Sequence, residues 1–598
     1  MPGMNSGLSP SDPTLVAAFR SALLHQGAIA LLMLVFLWLL WATARTWRPA
    51  VSAGTSGVTA GEPAEARARW LLRTGFGVLW IFDGILQAQP KMAGGLATQV
   101  MEPIAASSPG WVQHLVNWGG TAWSYHPVQA GAASVWIQVG IGTWLIVAVR
   151  GPWSRLAGAA SVIWGLIVWV FGESFGGIFA PGLSWLTGAP GAVLIYVVAG
   201  ALIALPGGAW RTPRPGRLLL AGLGVFFAAM AVLQAWPGRG FWPGRAAAKP
   251  GTLSRMVTEM AGTPQPHFLS SLLSGFASFA TRYGFAVNLV VVIALAAMGA
   301  AFLSGRPRLV RYAMWSGIVF CLADWVLVQD LGFLGGLGTD PNSMIPLIVL
   351  FSAGYLALTP AAQEAEAPAR AAEAKRPGVR SVAAAGALAV ILLGAAPMAA
   401  AAVNRTADPI LALAISGNST SLNLPAPGFS LTDQNGRTVS LAGLRGKVVL
   451  MTFLDPVCTS DCPIIAQEFK QAGQLLGAQA ARVELVAVVA NPTYRSTAFT
   501  RAFDRQEGLT TVPDWLYLTG SLSQLGAVWR HYGVTVENLP AGAMAAHNDL
   551  AVIIDPAGRI RQELSSDPGP ATVSTRSSFS VLLGQYARQA LRQTLGQS

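Results

Sequence analysis

The sequence predicts a multi-span α-helical membrane region of about ten helices, built on two parallel four-helix repeats, followed by an α/β domain. Three observations predict it. Over half of the 598 residues (53%) are hydrophobic and only 11% are charged, a balance found in polytopic membrane proteins. The apolar residues fall into long runs through the first 400 positions, whereas residues 421–598 are polar, mixed in charge and alternate between strand and helix patterns. A run of residues near the start of the membrane region also recurs further along.

Ten apolar spans centre near residues 33, 80, 140, 166, 197, 227, 293, 318, 350 and 392. The first is too long for a signal-peptide core and lacks a basic stretch before it, so it reads as a retained helix. Basic residues alternate between the connecting loops. One set holds Arg45, Arg48, Arg67, Arg69 and Arg73, then Arg150 and Arg155, then Arg211, Arg214 and Arg217, then Arg306, Arg308 and Arg311, then Arg370, Lys375, Arg376 and Arg380. The other set holds Arg20, Lys91 and five basic residues in the long 237–282 loop, with no basic residue in 172–188 or 330–342. The richer set belongs in the cytoplasm, which places both termini and the C-terminal domain outside the cell membrane. The net charge of +12 lies largely in these loops and is not a nucleic-acid footprint.

The repeat starts with Leu72-Arg-Thr-Gly75-Phe-Gly77-Val78, matched by Leu219-Leu-Ala-Gly222-Leu-Gly224-Val225 at an offset of 147. Leu86-Gln87-Ala88 pairs with Leu233-Gln234-Ala235, and Trp169-Val170 with Trp325-Val326. Four spans per copy bring both copies in from the same side, a parallel duplication. The resulting division is 1–69 (first span and loop), 70–206 and 207–360 (the repeats), 361–420 (loop, tenth span, linker) and 421–598 (the outer domain). The opening Leu-x2-Gly-x-Gly and the span count give the unit a loose resemblance to DoxX-type four-helix membrane proteins, which are linked to quinol oxidation.

Acids are costly within apolar spans, so Asp83, Glu173, Asp324 and Asp330 are candidate functional groups. Asp83 has Met230 as its counterpart and is therefore not demanded by the repeat. Asp330 reads as solvated at the outer interface. His114 and His126 lie among Trp111, Trp118 and Trp123, the pattern of an interfacial helix. Cys321 reads as a small apolar packer within a span.

In the C-terminal domain, Phe429 to Leu441 reads as a hairpin around Asn435-Gly436. Lys447 to Phe453 is a buried strand, Ile464 to Leu476 a helix, and Val483 to Ala490 a second buried strand. A helix over 496–505, a strand over 515–518 and a helix over 522–532 follow. Leu550 to Ile554 then turns at Asp555-Pro-Ala-Gly558 into another strand, and an amphipathic helix over 577–595 closes the chain. This order is thioredoxin-like.

Two of the three cysteines stand four apart in Leu454-Asp-Pro-Val-Cys458-Thr-Ser-Asp-Cys462-Pro463, between the first buried strand and its helix. A helix N-terminus there favours thiolate. Two thiolates and an imidazole suit a soft metal such as Cu(I); two thiols alone suit disulfide exchange. A structural disulfide across so small a loop would stabilise little. His531 reads as a surface residue, and Met544 as a loop residue with a thioether that could assist a metal.

From about Leu424 to the C-terminus these residues resemble the Sco/SenC family of copper-binding cytochrome oxidase assembly proteins. Cys-x3-Cys-Pro after a strand is Cys458 to Pro463, and the family's metal-binding His corresponds to His547, 85 residues after Cys462. Leu518-Thr519-Gly520 and the strand-and-turn Leu550 to Gly558 also match. The resemblance implies one copper ion held by Cys458, Cys462 and His547. It also implies an extracytoplasmic domain acting as chaperone or thiol reductant on the subunit that carries the CuA centre of a terminal oxidase. Two positions depart from the family pattern: Thr459 stands where Pro is usual, and Ala490-Asn491-Pro492 where Val-Asp-Pro is frequent.

An enzyme reading stands beside this one, a cell-surface thiol–disulfide oxidoreductase cycling Cys458 and Cys462 with quinone chemistry in the membrane part. Cys321 alone cannot supply a membrane dithiol relay. Thr459-x-x-Cys462 is similar to a peroxiredoxin turn, but Asp455 stands where that motif has Pro. A third reading makes the duplicated spans a transporter, with Asp83 in its pathway.

Overall fold

The computed structural model describes residues 13–47, 65–106, 108–179, 188–242, 251–263, 265–334, 337–358, 377–404, 419–459, 461–538, 545–565 and 579–595. Met544 and most of the expected linkers at 361–380 and 403–420 lie outside them. The chain divides into two compact units. One comprises Met1–Ala22, Pro90–Gly131 and Pro397–Ser598; the other comprises Leu23–Gln89 and Ala132–Ala396. Segment 90–131, which the sequence pattern groups with 70–206, thus packs with the C-terminal domain.

Every one of the ten apolar runs falls on a helix: Pro13–Trp47, Arg67–Gln87, Pro127–Val147, Gly151–Phe171, Ala192–Ala204, Arg214–Ala235, His267–Ser304, Pro307–Leu327, Met344–Leu358 and Pro377–Val403. Seven contain a stretch long and apolar enough to cross a membrane; Ala192–Ala204 and Met344–Leu358 are shorter apolar helices. Arg67–Gln87 carries three arginines and Asp83.

Glycines set the helix spacing in the helical unit. A Cβ on Gly77 would stand 2.9 Å from the Gly142 carbonyl, and one on Gly224 would stand 3.0 Å from the Gly299 carbonyl. Both are backbone-to-backbone approaches that only glycine permits. The indole of Trp169 donates to the Pro190 carbonyl at 2.8 Å, and that of Trp325 to the Pro341 carbonyl at 2.8 Å. Ser174, Phe175 and Gly176 take left-handed backbone angles after one helix, and Asp330, Leu331 and Gly332 do the same after the other. Non-glycine residues rarely adopt this region.

Two arginines counted for topology have a structural task. Arg69 and Arg73 are buried and paired with Glu65 at 3.0 and 3.1 Å. Their guanidinium groups also donate to the carbonyls of Val149, Ile203, Leu145 and Ile146. The carbonyls of Leu145, Ile146 and Ile203 lie in the last turns of their helices, where a cation meets the negative end of the dipole, and that of Val149 lies just beyond one.

The C-terminal domain has strands β1 (Ser419–Pro425), β2 (Ser430–Thr432), β3 (Thr438–Ser440), β4 (Val448–Leu454), β5 (Val483–Val489), β6 (Trp515–Leu518), β7 (Val536–Asn538), β8 (Ala545–His547), β9 (Leu550–Ile554) and β10 (Arg559–Ser565). Six form one sheet in the order β1-β10-β9-β4-β5-β6. The pairs β4–β5 and β5–β6 are parallel, whereas β9 and β10 run antiparallel to their neighbours. Strands β4, β5 and β9 are buried at every position, as nearly continuous apolar runs, broken only by Thr452 and Glu484, should be when covered on both faces. The expected β2–β3 hairpin turns at Gly436, whose φ of 87° needs glycine. Helices Asp461–Leu476 and Phe579–Leu595 pack together through Phe469 and Phe579, with ring centroids 6.4 Å apart.

Strand β1 and the small β7–β8 ladder were not expected. The ladder pairs His547 with Val536, so the histidine ends a strand rather than merely preceding β9.

Candidate metal and dithiol site

Parallel strands β4 and β5 end at the same edge, and the loops that leave them carry the chemistry. After β4 the chain turns through Asp455 to Cys458, then enters the helix Asp461–Leu476. Cys462 and Pro463 occupy its first turn. Proline is tolerated there because the first amides of a helix lack intrahelical partners.

Cys458 and Cys462 are thiols rather than a disulfide, 7% and 1% exposed. Cys462 is the hub. Its sulfur accepts from the Asp455 amide at 3.3 Å and lies 3.4 Å from His547 Nε2. The Cys458 thiol is also within hydrogen-bonding reach of it. The far side of the imidazole faces acceptors: Nδ1 stands 3.8 Å from Asp549 Oδ1 and 3.4 Å from the Asn548 carbonyl. That environment favours the proton on Nδ1 and leaves Nε2 as the lone-pair nitrogen toward sulfur, the orientation a metal-binding histidine requires.

The sequence leads to the expectation of a thiolate at the helix start. For Cys462 the structure corrects this: burial, with Cys458 close by, pushes its thiol well above the ordinary range. Desolvation of a fully enclosed sulfur outweighs one backbone amide and a helix dipole. A neutral thiol donating to Nε2 fits this geometry.

Asp455 ties the site together. Its Oδ1 accepts from the Val457 amide at 3.0 Å; its Oδ2 accepts from Asn491 Nδ2 at 3.0 Å and from the Ala545 amide at 2.8 Å. One carboxylate thus joins the cysteine turn, the loop after β5 and the strand bearing His547. Burial raises its pKa to about 6, with the three hydrogen bonds and His547 pulling the other way. Asn491 fits because it supplies a donor. Its own Oδ1 caps the amides of Thr493 and Tyr494 at 2.8 Å each. In the sequence Asp455 stands out only as a mismatch to another motif and Asn491 only as a departure; neither has a local pattern that announces a partner.

Among the described residues no group of three or more His, Cys, Asp and Glu side chains stands ready to enclose a metal. The donor set still fits a soft ion: one sulfur–imidazole pair in contact and a second sulfur beside it.

The remaining candidates divide clearly. His531 ends an exposed helix edge, as expected. His114 is exposed, whereas His126 is buried with Nε2 3.2 Å from the Asn404 carbonyl. In the helical unit Asp83 is buried beside Tyr196, whose ring packs on Trp80 with centroids 4.8 Å apart. Glu173 Oε1 accepts from the Val193 amide at 3.1 Å. Asp324 and Cys321 are buried on one helix. Asp330, expected to be solvated, is only 3% exposed, because the left-handed turn folds it inward.

Residues 419–577 match the SCO1/SenC family model. Among solved structures, the chain is similar to copper-bound ScoI of Bradyrhizobium japonicum, at 20% identity over 28% of this chain and 99% of that one, with a TM-score of 0.23. It is similar to copper-bound ScoI of Arabidopsis thaliana at 19% identity, over 28% and 98%, with a TM-score of 0.24. It is also similar to apo Sco1 of Thermus thermophilus at 21% identity, over 29% and 95%, with a TM-score of 0.24. No curated protein matches the chain.

Proposed function

We propose that the C-terminal domain binds one copper ion through Cys458, Cys462 and His547 and serves assembly of the CuA centre of a terminal cytochrome c oxidase, as copper donor or thiol reductant. The observation that carries the reading is the 3.4 Å approach of Cys462 sulfur to His547 Nε2, with Asp549 and Asn548 behind the ring. The family match over residues 419–577 supports it. Two thiols and an imidazole must release protons to bind, so affinity rises with pH and binding releases acid.

The helical part anchors this domain in a cell membrane, with the domain outside. The alternation of basic loops supports that orientation, and still does without buried Arg69 and Arg73. Matching Gly77–Gly142 and Gly224–Gly299 approaches, matching indole bonds and matching left-handed turns support a parallel four-helix duplication.

Adjacency of the two thiols favours a second reading, dithiol exchange. Cys458, the more exposed sulfur, is then the attacking group, because burial holds Cys462 protonated.

Cu(I) and Cu(II) titration of the full-length protein in detergent tests the first reading, with Cys458→Ser and His547→Ala alongside. One ion per chain, lost in both variants, is the expected result. Binding indifferent to His547 sinks the chaperone reading and leaves the dithiol reading.

A further inference from the structure

The helix Gly110–Tyr125 lies outside the family match, yet it belongs to the same compact unit as the C-terminal domain. It rests on the cysteine turn. Ser124 Oγ donates to the carbonyl of Thr459, between the two cysteines, at 2.9 Å. Tyr125 is wholly buried; its hydroxyl donates to the carbonyl of Pro463 at 3.4 Å and accepts from Gln467 Nε2 at 3.4 Å. Gln506 Nε2 donates to Thr121 Oγ1 at 3.3 Å. A Cβ on Gly120 would stand 3.8 Å from Thr459 Cβ. Positions 120, 121, 124 and 125 are spaced i, i+1, i+4 and i+5, so they form one face of the helix.

That face covers the residues flanking Cys462 on both sides. A target protein cannot bring its own cysteines or copper ligands to a sulfur that is 7% or 1% exposed. We infer that the helix Gly110–Tyr125 is a lid carried by the chain itself, and that the Cys458–Cys462 site trades metal or electrons with a partner protein only when this helix lifts. The inference rests on the copper or dithiol reading for the meaning of access, but lid and metal are tested separately. Four hydrogen bonds hold this face beside the buried Tyr125 ring, two to backbone carbonyls and two between side chains. Neutral hydrogen bonds of this kind are individually modest, so a competing surface can displace them.

The test uses full-length protein in detergent. In a background of Cys321→Ser, Cys458→Ser and Cys462→Ser, the pair Gly120→Cys and Thr459→Cys places two Cβ atoms at about the mean disulfide separation of ~3.8 Å. Mild oxidation should link the two peptides, as read by mass spectrometry; no link overturns docking. In a second set, keeping Cys458 and Cys462 with Cys321→Ser, a bulky maleimide reports sulfur access. Ser124→Ala should speed labelling about fivefold, because one neutral hydrogen bond is worth about 1 kcal/mol. Gly120→Trp, which cannot seat against Thr459, should speed it further. Equal rates in all three proteins overturn the lid. Hydrogen-exchange protection of β4 serves as the folding control, since unfolding would expose the thiols by another route. Copper titration of the same proteins separates the two ideas. Rates that respond without copper binding keep the lid and remove the copper reading; copper binding with unresponsive rates does the reverse.

Discussion

Asn491→Asp tests how the site is wired. In the native protein the Asn491 amide donates to Asp455 Oδ2 at 3.0 Å, and both side chains are buried. The substitution puts a carboxylate oxygen where the donor was. Two ionised carboxylates that close repel by about 5 kcal/mol at an effective dielectric of ~20, so the pair keeps one proton between them. The pH dependence then follows. Native Asp455 has its pKa raised from 3.8 to about 6, so the folded state holds an extra proton between those values. Stability falls as pH rises through that window and levels off above it. In the variant the retained proton persists beyond pH 6, where the unfolded chain has already lost both. Each further pH unit costs about 1.4 kcal/mol, or about 2 kcal/mol relative to the native protein from pH ~6 to ~7.5. Asp504 and Glu507, raised to about 7 and about 8, titrate alike in both proteins and cancel in the difference. Native-state hydrogen exchange of β4 and β5 amides in full-length protein reads the free energy directly. The variant's copper affinity relative to the native protein's should fall over the same range, since Asp455 also holds the Ala545 amide two residues before His547. Parallel stability curves for the two proteins would refute the argument.

Glu507 is buried with no partner for either carboxylate oxygen among the described residues, and burial raises its pKa to about 8. Its folded pKa is the higher, so it stabilises fully below pH ~4.5 and loses that contribution as pH rises toward 8. Each pH unit across that window is worth about 1.4 kcal/mol, so Glu507→Gln should flatten the slope and raise the exchange free energy at pH ~8 by a few kcal/mol. Asp549→Asn removes the charge behind the imidazole while keeping its shape; copper affinity should drop roughly 10- to 100-fold with β4 protection unchanged. In the helical unit a Cβ on Gly158 would stand 2.6 Å from the Gly200 carbonyl, whereas one on Gly222 meets nothing within 4 Å. Gly158→Val should therefore lower the thermal midpoint in detergent, at a cost of about 1–3 kcal/mol, and Gly222→Val should not.

Much of this molecule is legible where a side chain announces its own environment. Val448–Leu454, Val483–Val489 and Leu550–Ile554 are apolar but for Thr452 and Glu484, and each is a fully buried strand. Asn435-Gly436 names its turn, and Cys458, Cys462 and His547 were named by spacing and resemblance; the structure brings the last two into contact. Strands β1 and β7 were missed for a physical reason. Ser419–Pro425 offers only the two alternating leucines Leu422 and Leu424, and Val536–Asn538 is three residues long, too little apolar pattern to mark a strand; backbone pairing holds them to β10 and β8, with the Asn423 side chain adding bonds from Arg559 and Arg561 of β10. The same reason governs the site. Asp455 works by reaching the amides of Val457 and Ala545, Cys462 by receiving the amide of Asp455, and Ser124 and Tyr125 by reaching the carbonyls of Thr459 and Pro463. A backbone atom has no letter in the sequence, so a contact between a side chain and a distant backbone leaves no pattern to find. Ser124 and Thr459 are 335 residues apart, and nothing in either neighbourhood specifies the other. The thiolate expectation for Cys462 failed on related ground. A helix start is a local fact that sequence spacing reveals, whereas enclosure depends on every segment that arrives to cover the sulfur, and here burial is the largest influence and pushes the thiol's pKa up. Ligand identity is thus the local part of this site and access to it the non-local part, so variants at Ser124, Gly120 and Asn491, none of them a ligand, probe what the ligand motif alone does not encode.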